Sequence, residues 1–291
     1  MTYAELRDAL AEGLRLRGLP AADRLARHYL ADARIRPPGA RLDDEASAEA
    51  EASVAEAGER LAGGEPLQYV SGTAHFYGHE LRVDSSVLIP RPETEELVRW
   101  VIEREPMGQV RFADLCTGSG CIAAALAHAR ERWRGLAVDV SPAAAEVAQE
   151  NLRALGVGAS VRVEVHDILT DDGFLGAGGA WEVFVSNPPY IPASDWLRVD
   201  AAVAAYEPQL ALRVPDDEPL IFYRRLARLA LRHLVSGGRV YVECNDRYVR
   251  QVGELFTREG LTAIEVLTDM QGRPRHVRAV RPYPPDCLVP V

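Results

Sequence analysis

The sequence predicts an α/β fold, a parallel sheet covered by helices on both faces, with a small helical domain in front of it. Three observations carry this. Apolar strand-like runs alternate with amphipathic helical stretches from Val110 onward. The first 72 residues show helical spacing and few strand formers instead. A chain of 291 residues with 47% hydrophobic and 26% charged residues has the material for one large or two modest domains.

Taken in order, Leu6, Leu10 and Leu14 recur at four-residue spacing, and Asp43 to Leu61 is an Ala- and Glu-rich helical stretch. Pro37-Pro38-Gly39 interrupts this block and Gly63-Gly64-Glu65-Pro66 ends it. From His75 to Ile89 short alternating segments around Gly78 read as a hairpin, and Pro90-Arg91-Pro92 opens a helix from Glu93 to Arg104. Strands are then expected at Val110–Leu115, Leu136–Val140, Ser160–Val165 and Trp181–Ser186, with helices at Ile122–Arg130 and Ala143–Leu155 between them. A helix at Leu220–Leu234, a strand at Arg239–Cys244, a helix at Tyr248–Glu259 and closing strands at Thr262–Leu267 and Arg275–Val280 complete the sheet. This divides the chain into a helical domain (1–72), a hairpin and linker helix (73–106) and an α/β domain (107–291).

All 33 basic residues are arginine, which excludes mechanisms that need a lysine amine: Walker-type NTPases, protein kinases and pyridoxal-phosphate enzymes. The net charge of −10 argues against nucleic-acid binding, and the helical domain, with nine arginines against thirteen acids, offers no basic face. Cys116, Cys121, Cys244 and Cys287 form no C-x-x-C pair and have no histidine at metal spacing, so no disulfide framework or metal site is expected. The seven histidines are scattered and receive no chemical role. Met1 to Leu16 alternates charges with leucines, and no run of about 18 apolar residues follows, so a cytoplasmic chain without membrane segments is expected.

The chemistry starts at the end of the first α/β strand, in Asp114-Leu115-Cys116-Thr117-Gly118-Ser119-Gly120. Gly118 and Gly120 allow a tight turn and close approach of a ligand, and the helix start behind them offers N–H groups to an anion. Asp139 ends the next strand, where a carboxylate can accept both hydroxyls of a ribose. Asp167 ends the third, placed for an adenine amino group. The loop also fits a dinucleotide fingerprint, but with both acids it points to a nucleoside cofactor held by Thr117, Gly118, Ser119, Gly120, Asp139 and Asp167. Cys116 and Cys121 beside it read as small buried hydrophobes.

The fourth strand runs into Asn187-Pro188-Pro189-Tyr190. Paired prolines stop a strand and leave carbonyls outside any ladder. Together with the Asn187 side-chain oxygen they present two acceptors to one NH2 group, walled by Tyr190. An amide nitrogen is a poor nucleophile because its lone pair is delocalised. Holding both N–H bonds toward Asn187 and the Pro188 carbonyl aims that lone pair at an electrophilic methyl, and the proton can leave afterwards. The same geometry serves an adenine amine.

Four segments carry a family resemblance: Glu65-Pro66-Leu67-Gln68-Tyr69, His75-Phe76-Tyr77-Gly78, Leu88-Ile89-Pro90-Arg91-Pro92-Glu93-Thr94-Glu95, and Asn187-Pro188-Pro189-Tyr190-Ile191-Pro192. With them the chain resembles, over nearly its whole length, the HemK/PrmC-type release-factor glutamine methyltransferases. The resemblance implies a seven-stranded Rossmann-like class I methyltransferase domain, S-adenosyl-L-methionine as donor and S-adenosyl-L-homocysteine as product. It further implies an N-terminal domain that docks the substrate protein, and methylation of N5 of the glutamine in the Gly-Gly-Gln motif of peptide chain release factors. Gly118, Gly120, Asp139, Asp167 and Asn187 match its donor and acceptor positions. Asn187, Pro188 and Tyr190 are the expected catalytic residues, with Pro189, Arg91 and Glu93 joining them at the substrate. Two departures stand out: Asn245 where many members have glycine, and Cys116-Thr117-Gly118-Ser119-Gly120-Cys121, close to a sister family that modifies a ribosomal large-subunit protein. The rival readings are that sister activity, an adenine-N6 nucleic-acid methyltransferase, a dinucleotide-dependent oxidoreductase, and a cofactor-binding module without catalysis.

Overall fold

The computed structural model describes residues 1–32, 34–176 and 181–284; Cys287 lies outside them. The chain divides into two units, Met1–Thr73 with Asp200–Tyr206, and Ala74–Val199 with the chain from Glu207 onward. The first is helical: α1 (Tyr3–Leu16), α2 (Ala22–Ala31), α3 (Ala48–Ala62) and α4 (Leu67–Ser71). Thr2 starts α1 with a capping box, its hydroxyl accepting from Glu5 N at 3.2 Å while the Glu5 carboxylate accepts from Thr2 N at 2.8 Å. The helical stretch expected from Asp43 begins only at Ala48, because the Ser47 hydroxyl caps it through Ala50 N at 3.1 Å. Leu6, Leu10, Leu14, Leu30, Val54 and Leu61 fill this unit's core. Tyr206 OH donates to the Gly63 carbonyl at 2.7 Å, fastening a short later helix to the same unit.

The second unit opens with a hairpin, β1 (Thr73–Phe76) and β2 (His79–Arg82). Tyr77 and Gly78 both have positive φ, 49° and 80°, the pairing that a two-residue hairpin turn demands. Then come α5 (Pro92–Arg104), β3 (Arg111–Leu115), α6 (Cys121–Ala129), β4 (Arg134–Asp139), α7 (Pro142–Ala154), β5 (Val161–Val165) and β6 (Trp181–Ser186). A two-stranded ribbon of β7 (Ile191–Pro192) and β8 (Arg213–Val214) brackets α8 (Ala201–Tyr206), the short later helix of the first unit. The chain continues with α9 (Ile221–His233), β9 (Leu234–Glu243), α10 (Val249–Glu259), β10 (Thr262–Thr268) and β11 (Pro274–Val280).

The seven-stranded sheet has the order β10-β11-β9-β6-β3-β4-β5. Its pairs are parallel from β9 to β5, and the α/β expectation holds there. The closing strands depart from an all-parallel sheet: β11 runs antiparallel to both β9 and β10, since the short connection from β10 to β11 can only make a hairpin. α5 and α6 bury Leu97, Val98, Val101, Ile122 and Leu126 on one face. α9 and α10 bury Tyr223, Leu226, Val252 and Phe256 on the other. From β3 the chain steps outward through β4 and β5, then returns to β6 on the opposite side of β3. That reversal opens a crevice beyond the carboxyl ends of the strands.

Among the described residues no helix is long and apolar enough to cross a membrane, and Cys116, Cys121 and Cys244 are free thiols.

Close packing in the sheet centre can be probed at Gly135. It pairs in register with Phe112, and a Cβ there would lie 2.4 Å from Phe112 Cζ. The Phe112 ring is itself fully buried and held against Trp133 at 5.9 Å. Gly135→Ala is expected to destabilise the protein by about 1–3 kcal/mol, the range for overpacking. In urea unfolding this appears as a lower midpoint with an unchanged slope; an unchanged midpoint would show that the ring can move aside.

Candidate active site

Residues 116–120 connect β3 to α6 under tight backbone constraint, with positive φ at Cys116 (67°), Gly118 (54°) and Gly120 (77°). Asp114, with no exposed surface, holds this turn from below. Its Oδ2 accepts from the Thr117 hydroxyl at 2.6 Å and from Ala123 N at 3.2 Å. Burial pushes the Asp114 carboxyl up to about 7, against the opposing pull of those two hydrogen bonds. Gly120 must be glycine for a second reason besides φ: a Cβ would sit 3.0 Å from that of Ala148 on α7. Nothing lies within 4 Å of a Cβ at Gly118, so that position opens onto free space.

Asp139, at the end of β4, reaches back to the loop. Its Oδ2 accepts from Gly118 N at 2.9 Å and its Oδ1 from Ser141 N at 3.0 Å. Burial raises its pKa, and the bonds from Ser141 and Gly118 oppose that. Two of the N–H groups offered to an anion are therefore taken from inside the protein, by Asp139 at Gly118 and by Asp114 at Ala123. The loop end presents the Asp139 carboxylate to a ligand, so a cationic group suits it better than a phosphate.

Asp167 follows β5 and folds into a local turn, accepting from Leu169 N at 2.9 Å and from the Thr170 hydroxyl at 3.2 Å. Its neighbour His166 is held between Asp171 at 2.9 Å and Glu164 at 3.2 Å and stacks on Phe174. At the end of β6 the Ser186 hydroxyl donates to the Leu115 carbonyl, locking the two strands on either side of the chain reversal. Asn187 comes next, and its Nδ2 donates to Thr94 Oγ1 at 3.2 Å.

These ends surround one cavity of about 350 Å³. Arg91, Thr117, Gly118, Ser119, Asp139, Asp167, Asn187 and Pro189 all line it, which brings the loop, both strand-end acids and the asparagine together. Gly120, Glu93, Pro188 and Tyr190 do not line it. Gly120 is the turn into α6, Pro188 is buried, and the Tyr190 ring packs on the core with its hydroxyl pushed well up by burial and by Glu243. Val138, Ile168 and Leu169 supply apolar wall.

Four residues without a sequence-derived role support the site. Glu207, 4% exposed, accepts from Arg91 at 2.5 Å and from Ile89 N at 3.2 Å, pinning the segment that enters α5. Asn151 on α7 donates to the carbonyls of Ser119 and Arg82, both at 2.9 Å, tying the loop to β2. Thr94 and Glu243 stand behind Asn187. Glu207, Asn151 and Glu243 lie outside the motif segments, and only their burial as polar groups marks them. Asn245, the departure from the glycine pattern, has an ordinary negative φ and closes a turn, its Oδ1 accepting from Arg247 N at 3.1 Å.

A family model described as Methyltransferase small domain matches residues 94–203. The chain is 36% identical over 289 residues to a release factor glutamine methyltransferase of Cereibacter sphaeroides, covering 97% of this chain and 99% of the relative. It is 38% identical to the enzyme of that name from Bacteroides thetaiotaomicron, covering 76% and 78%. Among solved structures, human methyltransferase 10 domain containing protein superposes with a TM-score of 0.50 at 18% identity, over 71% of this chain and 91% of that one, a likeness of fold.

The Glu207 clamp sets a measurable expectation. Glu207→Ala removes the acceptor of a charged hydrogen bond and strands a backbone N–H, so a loss of about 1.5–3 kcal/mol in unfolding free energy is expected. Hydrogen exchange at the Ile89 amide, which Glu207 accepts from in the wild type, should accelerate as well; an unchanged exchange rate there would mean that the segment is held by other contacts.

Proposed function

This chain belongs to the release factor glutamine methyltransferase family, and from that membership and the site geometry we propose that it transfers a methyl group from S-adenosyl-L-methionine to the side-chain amide nitrogen of the glutamine in the Gly-Gly-Gln motif of peptide chain release factors. The observation that carries the reading is that Asp139, Asp167 and Asn187, from three strand ends, open onto one cavity. The reaction takes place in the cytoplasm, and a folded protein is the acceptor.

The residues present suit the donor. The acids that line the cavity are Asp139, which already takes the N–H of Gly118, and Asp167, and this fits a sulfonium cation better than a pyrophosphate. Asp139 keeps lone pairs for ribose hydroxyls, Asp167 faces the adenine end, and the open space above Gly118 admits a ligand against the backbone. The donor supplies an electrophilic methyl when bound.

The chain's own work is done on the acceptor. Asn187 lines the cavity, and its Oδ1 receives an N–H bond of the glutamine amide, which turns the nitrogen lone pair toward the donor and stabilises positive charge as the new N–C bond forms. An N-alkylated amide cation is a strong acid, so its proton passes to water after transfer and no general base is needed beforehand. A free glutamine lacks the surface that aligns this geometry, and alignment alone contributes several kcal/mol to a barrier of this kind.

Two substitutions separate binding from chemistry. Asp139→Ala is expected to weaken donor and product binding alike by about 1.5–3 kcal/mol in calorimetry; equal affinity would remove the ribose assignment. Asn187→Ala should lower kcat by roughly 10²–10³ with donor affinity nearly intact.

The acceptor is tested by incubating the enzyme with labelled donor and, separately, release factor, ribosomal protein and nucleic acid, then mapping label by mass spectrometry. One methyl on the Gly-Gly-Gln peptide is the expected result. Label in the ribosomal protein alone would move the substrate assignment to the sister activity, and label in nucleic acid alone would overturn it.

A further inference from the structure

Behind Asn187 lies a line of buried polar atoms that the reaction as described does not use. Asn187 Nδ2 donates to Thr94 Oγ1 at 3.2 Å, and the Thr94 hydroxyl donates to Glu243 Oε2 at 2.7 Å. Thr94 and Glu243 are 2% and 1% exposed, Thr94 forming part of the cavity wall and Glu243 lying behind it. Thr94 stands on α5, just after Arg91 and Pro92, and Glu243 is the last residue of β9, beside β6, which leads into Asn187.

The direction of these bonds follows from the chemistry of the groups. An ionised carboxylate only accepts, so the single proton of the Thr94 hydroxyl must point at Glu243. The Thr94 oxygen is then left with lone pairs alone, and it can face only the NH2 end of the Asn187 carboxamide. The Oδ1 end is thereby turned the other way. A carboxamide is nearly symmetric in shape, so packing alone would not choose between its two orientations.

We propose that Thr94 and Glu243 are positioning residues that set the polarity of the Asn187 carboxamide, holding its oxygen toward the acceptor amide. The proposal rests on the reading above that Asn187 Oδ1 receives an acceptor N–H. If the carboxamide turned over, its NH2 would face the glutamine NH2, donor against donor.

When Glu243 takes a proton the constraint is released, because a protonated acid can donate to Thr94 and leave the Thr94 proton free to face Asn187 Oδ1. Burial raises this carboxyl to about 7, opposed by the Thr94 hydrogen bond and by Arg275. The surrounding groups are Glu93 beside Thr94 on α5, which pushes it up; Arg91, which draws it down; Tyr190, also buried next to it; Tyr223 of α9, whose hydroxyl donates to the Glu243 carbonyl at 3.0 Å; and His276 of β11, its register partner. Burial brings His276 down to about 4, and the thiols of Cys121 and Cys244 are pushed to about 12 and beyond. Those three groups stay neutral between pH 6 and 8.5, leaving Glu243 and, under the glycine loop, Asp114, also raised to about 7 by burial, to titrate there. Acid protonates Glu243 and frees the carboxamide, so turnover should rise with pH through about 7, and the part of that rise due to Glu243 is the part that its substitution removes.

The test uses the full chain. Thr94→Val keeps the shape and removes both hydrogen bonds; kcat for methylation of release factor should fall about 10- to 100-fold with acceptor KM and donor Kd within threefold of wild type. Thr94→Ser should recover most of the loss, and Glu243→Gln, whose amide can present either end, should lose the Glu243 part of the pH rise and leave any Asp114 part in place. A readout independent of turnover is available because the chain has only three asparagines, Asn151, Asn187 and Asn245. With selective asparagine ¹⁵N labelling, the Asn187 side-chain NH2 signal of the wild-type protein should titrate with a midpoint near 7, and that titration should vanish in Glu243→Gln. No movement of this signal between pH 6 and 8.5 overturns the proposal even if Thr94→Val fails to fold. Wild-type kcat in folded Thr94→Val overturns it while leaving the methyltransferase reading in place. Absence of any methylation by the wild type overturns that reading, and the NMR titration still decides the hydrogen-bond chain.

Discussion

Asp114 sits one residue before the end of β3 with a single carboxylate oxygen bridging the Thr117 hydroxyl and the Ala123 amide. That bridge joins the strand end, the loop and the first turn of α6, and it holds three positive-φ residues within five positions. Left-handed backbone at a cysteine is unfavourable by itself and persists only where the surroundings over-determine it. Here the determinants are the Asp114 bridge, the Thr117 N–H bond to the Val138 carbonyl at 2.9 Å, and the bond from Gly118 N to Asp139. The cavity exists because the loop cannot relax into it.

The same arrangement fixes the electrostatics. A helix start ordinarily attracts an external anion, but here the protein's own acids take two of the N–H groups, at Gly118 and Ala123. Asp139 raises Asp114 further by repulsion, after burial has done most of it. Two carboxyls kept close together in a dry site are unfavourable without a positive charge nearby. A cationic ligand removes that penalty on binding and a phosphate increases it, which is why the glycine loop here cannot be read as a dinucleotide site from its spacing. The acceptor side is arranged by a different rule. Asn187 carries no charge, and its proposed role depends on which end of its amide faces the cavity, where its Nδ2 is bonded to Thr94 behind it.

Much of this was legible beforehand because the signals are local. Periodicity located the strands of the parallel region and the helices between them. The prolines after Asn187 and the glycines at 118 and 120 marked chain turns whose backbone needs are set by those residue types. The helix boundary at Ser47 and the antiparallel course of β11 were less visible: a cap is a matter of one hydroxyl, and pairing direction depends on where the neighbouring strand already lies. Glu207, Asn151 and Glu243 escaped notice for the same reason. An acid or amide in isolation reads as solvated surface until the partner that buries it is known.

What the sequence by itself determined was the alternation of elements, the loop chemistry and the residue types offered at the strand ends, since each depends on neighbours along the chain. Only the tertiary structure decided that Asp139 would fill the N–H of Gly118 twenty-one residues away, and that Thr94 and Glu243 would meet across 149 residues behind Asn187. Hydrogen-bond direction depends on which donors and acceptors are buried together, and burial is set by sheet order and helix packing. Those same contacts turned a loop suited to an anion into a site suited to a cation, and made the orientation of a single side-chain amide a property of the whole fold.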